Sequence, residues 1–168
     1  MPKKLSDEEY QRTLPKKQVG TAVLFFNEAG ELLIVKPDYK DGWLVPGGSA
    51  DENESPLQCA IRETKEEIGL DVPALELAGI YYAHAKGLHS DHIKFLFHGG
   101  TLNNEQISSI VLQTDELEEM KFLSVEAALP LLSGSLQASV PMSLVTFEAG
   151  KIGYKDHNIS DDGSQALF

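Results

Sequence analysis

Short β-rich runs and one long helical pattern divide the chain. "VGTAVLFF" and "ELLIVK" flank "NEAG", where Gly30 can take a positive φ, and together they predict a β-hairpin. "WLV" predicts a short strand, stopped by Pro46, Gly47 and Gly48. "ELAGIYYA" and "HIKFLFH" predict two more strands, the second with Ile93, Phe95 and Phe97 on one face. "EMKFL" predicts another, after which Ser124 caps a short helix through about Leu129 that Pro130 breaks. "PMSLVTFEAG" predicts a last helix from near Pro141 to Gly150. The first 17 residues are polar and form an arm or helix, with Leu5, Tyr10 and Leu14 as its anchors. Without regular βαβ alternation, the expected class is α+β, as layers or a sandwich, rather than a doubly wound sheet.

The helical pattern runs from Pro56 to Ile68 and is fully punctuated. Ser55 is the N-cap, Pro56 sits at the first position, Gln58 completes a capping box and Gly69 supplies the stop. At helical spacing Leu57, Ile61, Thr64 and Ile68 lie within about 60° of one another and predict the buried stripe. Glu63, Glu66 and Glu67 fall in an arc of about 100° on the far side, where like charges three and four residues apart repel. A divalent cation removes that penalty, and hard oxygen ligands at this spacing suit Mg²⁺ or Mn²⁺. The plainer alternative is a solvated acidic face. Cys59 falls on the polar side and reads as a small residue.

Composition narrows the function classes. The chain has 168 residues, one domain's length, with 42% hydrophobic and 24% charged residues, as in a folded soluble protein. One cysteine rules out an internal disulfide and agrees with a cytoplasmic location. The N-terminus lacks the apolar core of a signal peptide, and no run approaches the roughly 18 apolar residues of a membrane span. A net charge of -12 opposes binding to a nucleic acid duplex. Acids cluster at positions 51, 52, 54, 63, 66, 67 and 71, and again at 115, 116, 118 and 119. Two acidic clusters with small basic ones suggest metal-bridged binding of a small anionic ligand.

Context decides between the solvated face and the metal site. Gly48, Glu54, Arg62, Glu63, Glu66, Glu67, Gly69 and Leu70 fit G-x5-E-x7-R-E-U-x-E-E-x-G-U. Seven fixed residues match by chance about once in 10⁸ start positions at average residue usage. The stretch over residues 48–70 resembles the Nudix box, "GWLVPGG" resembles that family's lead-in, and the order of elements is similar across most of the chain. Two positions depart from the usual pattern. Thr64 replaces a large aliphatic residue, and Asp51 stands where relatives often carry Glu, which shortens its reach.

The resemblance implies a Nudix fold, an α/β/α sandwich with a mixed sheet, as a single domain over residues 1–168. It implies hydrolysis of a nucleoside diphosphate derivative, an NTP or nucleotide sugar, by water attacking phosphorus. Glu63, Glu66 and Glu67 would bind Mg²⁺ or Mn²⁺ with the Gly47 carbonyl, and one glutamate, with Glu66 favoured, would double as base. Arg62 would orient a carboxylate, Glu54 being the natural partner, rather than touch substrate. Glu116, six residues before Phe122, would be the added ligand or base, with Asp115, Glu119 and Glu105 as substitutes and an ordinary charged loop as the alternative. Many relatives are homodimers. A non-catalytic nucleotide sensor on the same fold is the rival, and an isomerase a more distant one.

Other residues carry weaker signals. His84, His89 and His92 have spacings that fit no zinc pattern, which makes metal binding the weakest reading, after substrate or phosphate contact and an ordinary polar loop. Tyr39, Trp43, Tyr81, Tyr82 and Phe97 are candidates to stack on a base, though strand aromatics are more often core. Lys16 and Lys17 could meet phosphates. The outlying motifs of ADP-ribose, NADH, coenzyme A and diadenosine polyphosphate hydrolases are not found.

Overall fold

The computed structural model describes residues 5–72, 74–84, 91–157 and 165–167. It contains α1 (Asp7–Thr13), β1 (Gln18–Phe26), β2 (Leu32–Pro37), α2 (Pro56–Ile68), β3 (Glu76–Ala83), β4 (His92–Thr101), α3 (Asn104–Ser108), β5 (Leu117–Leu123), α4 (Val125–Ala128), α5 (Leu136–Glu148), β6 (Ile152–Asp156) and β7 (Gln165–Leu167). Among the described residues the strands form one sheet in the order β5-β2-β1-β4-β3-β6-β7. The sheet is mixed: β1 runs parallel to β4 and β3 parallel to β6, while β1–β2, β2–β5 and β3–β4 are antiparallel.

Strand alternation gives the sheet two apolar faces. Val23, Phe25, Leu33, Val35 and Phe97 pack with Ala60 and Ile68 of α2. Ala22, Leu24, Ile34 and Leu96 pack on the other side with Ala128 of α4 and Leu136 and Val140 of α5. Helices therefore cover both faces, as the α/β/α expectation requires. Among the described residues no helix is long and apolar enough to cross a membrane.

One irregularity places the glycine turn. β1 and β2 pair in register only at Phe26 and Leu32 beside their turn, and then diverge. Residues 46–50 fill the gap: Thr21 N donates to the Gly48 carbonyl at 2.8 Å, Val23 N to the Pro46 carbonyl at 2.7 Å, and Ala50 N to the Val19 carbonyl at 3.0 Å. The glycine turn is thus bonded to the centre of the sheet, directly before the helix that carries the carboxylates.

The structure corrects several expectations. "WLV" makes isolated bridges, Leu44 with Val35 and Trp43 with Leu132, instead of a continuous strand, because the chain must swing toward the gap. α5 begins at Leu136 and holds Pro141 inside it. Proline there lacks the N–H that would bond the carbonyl four residues back, but burial of Leu136, Ser139 and Val140 keeps the preceding turn helical. The N-terminal segment does form a helix, with Ser6 and Glu9 in a capping box. Its expected anchors Leu5, Tyr10 and Leu14 are all exposed. α3, β6 and β7 were not expected; "NEQIS" is too short for a helical period, and Gly153 interrupts β6.

Candidate functional site

α2 starts and stops where its punctuation says. Gln58 N donates to Ser55 Oγ at 3.2 Å, Ser55 N donates to Gln58 Oε1 at 3.0 Å, and Gly69 takes φ 75° at the end. The packed face, however, is turned by roughly 70° from the aliphatic stripe, at 100° per residue. Cys59, Ala60, Thr64, Glu67 and Ile68 are buried, whereas Leu57 and Ile61 are 43% and 37% exposed. Cys59 is therefore not on the solvent side, and Glu67 is not on the far side: both face the sheet. Small residues explain the turn. Cys59, Ala60 and Thr64 let α2 lie close to β1, with the Thr64 hydroxyl donating to the Ala60 carbonyl at 2.7 Å.

Glu67 gains its one strong partner from this placement. Gly47 N donates to Glu67 Oε2 at 2.7 Å. Gly47 has φ 139°, and a Cβ there would lie 2.5 Å from the Thr21 carbonyl oxygen, so glycine is needed to bring this N–H to the helix. At Gly48 a Cβ would collide with the Glu63 carboxylate. Burial, opposed by the Gly47 hydrogen bond but reinforced by the charges of Glu63, Glu116 and Glu66, pushes Glu67 up to about 8. Among the described residues no cationic side chain pairs with it. Burial likewise raises Glu63, against the pull of Arg62.

Arg62 organises the remaining acids. Its Nε and Nη2 donate to the two oxygens of Glu54 at 2.9 and 2.8 Å, a bidentate pair that holds Glu54 down to about 2. Its Nη1 donates to both Glu63 Oε1 and Glu66 Oε2 at 2.9 Å, and its Nη2 to the Ser49 carbonyl at 3.2 Å. Asp51 lies 3.9 Å from Arg62 Nε, and its N–H donates to Glu54 at 2.9 Å. One guanidinium thus ties the glycine loop to the helix.

Glu116 is carried to the same region. Val111 N and Gln113 N donate to the carbonyls of Ile68 and Glu67 at 3.1 and 3.0 Å, and Asp38 N donates to the Glu116 carbonyl at 3.0 Å. Its carboxylate is exposed, and its charge acts on Glu63, Glu67 and Tyr39. Of the substitutes, Glu119 pairs with Lys121 at 3.0 Å, Glu105 lies in the first turn of α3 and Asp115 is exposed beside Glu116.

A cavity of about 200 Å³ opens on the other side of the Gly47–Gly48 turn. Tyr39, Lys40, His92, Lys94 and Leu136 line it with Gly20 of β1. His92 and Lys94 are two apart on β4 and so share a face. Lys94 Nζ donates to Ser135 Oγ at 3.0 Å; desolvation, then the charge of Lys40, lowers it to about 8. Desolvation, then Lys94, also lowers His92, whose buried Nε2 has no partner among the described residues. The sequence reading named His92 but missed Lys94. Its signal was there: with Ile93, Phe95 and Phe97 on one face, the opposite face holds a lysine next to buried Leu96.

The other candidates are spent elsewhere. His84 Nε2 pairs with Asp156 at 2.8 Å, and His89 lies outside the described residues. Lys17 bonds to Asp91 and to the Tyr82 hydroxyl. Tyr81 and Phe97 are core residues, as is Trp43, with Lys121 Nζ 4.6 Å from its ring centroid. Tyr39, 64% exposed, is the aromatic open to a ligand.

Among the described residues no three His, Cys, Asp or Glu side chains converge as a ready metal cluster. Glu63 and Glu66 are both held by Arg62. The donors nonetheless fit a hard divalent cation: three carboxylates on one helix, one of them buried without a counter-charge.

A sequence model of the NUDIX domain matches residues 16–141. An RNA pyrophosphohydrolase of Hydrogenovibrio crunogenus is 39% identical over 60 residues, 36% of this chain and 36% of that protein. An uncharacterized Nudix hydrolase of Listeria innocua is 31% identical over 110 residues, 62% of each chain. The chain thus spans less than two thirds of the length of these curated relatives. The crystal structure of a MutT protein from Methanosarcina mazei has the same fold, with a TM-score of 0.63 and 23% identity over 82% of this chain and 98% of that one. With the box residues gathered at the glycine turn and the domain matched across it, the chain belongs to the Nudix hydrolase family.

Proposed function

We propose that the protein is a divalent-metal-dependent hydrolase that cleaves the diphosphate linkage of a nucleoside diphosphate derivative, an NTP or a nucleotide sugar, with water attacking phosphorus. The observation that carries this reading is Glu67, buried against the Gly47 N–H and surrounded by the charges of Glu63, Glu66 and Glu116. An ionised carboxylate so placed is costly, so the group keeps its proton up to about pH 8 unless a cation takes the proton's place. Family membership and the names of the relatives support the reaction class.

Glu63, Glu66, Glu67 and the Gly47 carbonyl would hold Mg²⁺ or Mn²⁺. Such an ion neutralises phosphate oxygens and acidifies water. The protein's own groups do the rest. Arg62 is a positioning residue: its grip on Glu54 fixes the guanidinium, which in turn sets Glu63 and Glu66. Glu66 and Glu116 are exposed, so either can receive the proton of an attacking water, whereas buried Glu67 is better placed to stay bound. Gly47 and Gly48 keep side chains out of the path between carboxylates and cavity.

A panel of NTPs and NDP-sugars with Mg²⁺, followed by phosphate-product analysis, tests the proposal. Turnover of at least one member, abolished by EDTA, is expected. No turnover across the panel, with tight nucleotide binding instead, would replace the enzyme by a sensor.

A further inference from the structure

The cavity beside the glycine turn differs in charge from the rest of the molecule. The chain carries 26 acidic against 14 basic residues, yet among the described residues no acid lines this cavity, and Lys40 and Lys94 do. Lys94 has the Ser135 hydroxyl at 3.0 Å and no carboxylate partner among the described residues. The charge of Lys40, another cation, acts on it in the same unfavourable direction as its desolvation. A desolvated ammonium beside a like charge is costly, and such groups are normally paired. Next to it on the same face is His92, whose Nε2 is buried and has no partner among the described residues. A Cβ at position 20 would lie 2.6 Å from that nitrogen, so glycine in β1 makes the room for the ring.

These groups share one cavity wall with the catalytic side. Gly47 and Gly48 line the cavity, and Gly47 also holds Glu67. Tyr39 lines the cavity as well and feels the charges of Glu67, Glu116 and Glu63. A molecule whose diphosphate lies against the carboxylates therefore extends past Tyr39 toward Lys94. At about 200 Å³ the space is below the roughly 300 Å³ at which pockets begin to enclose a whole drug-sized ligand, so it admits one group of that molecule.

We propose that Lys94, with Lys40 and His92, forms a subsite for an anionic group, a phosphate ester or carboxylate, remote from the diphosphate that is cleaved. The inference rests on the proposed hydrolase reading and narrows its substrate class: the preferred substrate carries an extra negative group. The ammonium of Lys94 supplies a charge-assisted hydrogen bond, Lys40 adds field, and His92 lines the same wall.

Matched substrates test this, each pair differing by one anionic group: UDP-glucuronic acid against UDP-glucose, and NADPH against NADH. The wild type is expected to favour the more anionic member of at least one pair by about tenfold or more in kcat/KM, the size of one charge-assisted hydrogen bond. The responding pair tells carboxylate from phosphate. Lys94→Met should bring the ratio toward one, acting through KM, and Lys94→Arg should restore it. No preference in the wild type, or a preference that survives Lys94→Met, overturns the subsite. If none of the four is turned over, the panel of NTPs and NDP-sugars decides the hydrolase reading separately. Calorimetric titration with inorganic phosphate in EDTA at constant ionic strength then decides the subsite. Binding at least tenfold weaker in Lys94→Met supports it, and equal binding refutes it.

Discussion

The two sides of the Gly47–Gly48 turn are opposite in charge and in construction. On one side α2 supplies Glu63, Glu66 and Glu67 from a single continuous segment, and Arg62 and Glu116 complete the set. On the other side the cavity is assembled from β1, the segment after β2, β4 and the start of α5. The acidic side is crowded with like charges and tied together by one arginine. Among the described residues the basic side has two lysines and no acid. The proposed metal chemistry would sit on one helix, while the surface that would choose a substrate is spread over four segments.

The comparison breaks first at Glu67. Glu67→Gln keeps an oxygen for the Gly47 N–H but removes the charge, so the fold should survive and turnover should fall by about two to four orders of magnitude. Steady-state assays on whichever substrate the panel identifies measure it. Undiminished turnover would remove the acidic side from the mechanism. Gly47→Ala attacks the shared wall instead. With φ 139° and a Cβ 2.5 Å from the Thr21 carbonyl oxygen and 2.9 Å from the Ala22 Cα, the turn must pull away from β1. A loss of about 3 kcal/mol in urea denaturation is expected, from strain and broken pairing together.

The contrast also explains what the sequence could reveal. Caps, a proline at the first helical position and a terminal glycine mark α2 by local rules, and its limits were read to the residue. The strand pattern located β3 in the same way. What failed was long-range. The helix's rotation depends on how close a sheet lets it come, and counting aliphatics favoured Leu57 and Ile61 over the small residues Cys59 and Ala60. Glu67 was accordingly put on the solvent side, although the carboxylate with the strongest grip on the glycine turn must face inward. The cavity was less visible still. Lys94 lies 46 or more residues beyond the turn it neighbours in space, and only the parallel pairing of β1 with β4 brings Gly20 beside it.

The basic side predicts a stability effect of the opposite sign. Lys94 is lowered in the fold from 10.5 to about 8. Below pH 8 it is protonated in both states and the folded protein bears the full desolvation penalty. Between pH 8 and 10.5 the folded state releases the proton first, so the unfolded state binds more protons and stability rises with pH. Lys94→Met should therefore be more stable than the wild type by about 2 kcal/mol at pH 7, with the advantage shrinking as pH approaches 10.5. Chemical denaturation at pH 7 and pH 10 measures both limits. A variant less stable at pH 7 would mean that Lys94 serves the fold, and the contrast between the two sides would lose its basis.

The smallest effect tests the helix itself. If the aliphatic stripe were the packed face, Leu57→Gln would open the core and cost 2 kcal/mol or more, as large-to-small core changes do. With Leu57 43% exposed, the substitution should change stability by less than about 0.5 kcal/mol. Cys59→Leu supplies the counterpart. Cys59 is fully buried, with its Sγ 3.4 Å from Thr21 Oγ1, so a larger side chain must push α2 away from β1. That shift would loosen the Glu67–Gly47 bond, so Cys59→Leu should lower turnover as well as stability, while Leu57→Gln changes neither. A large loss from Leu57→Gln with none from Cys59→Leu would turn the helix back by about 70°, taking Glu67 off the glycine turn and the two sides of the site out of contact.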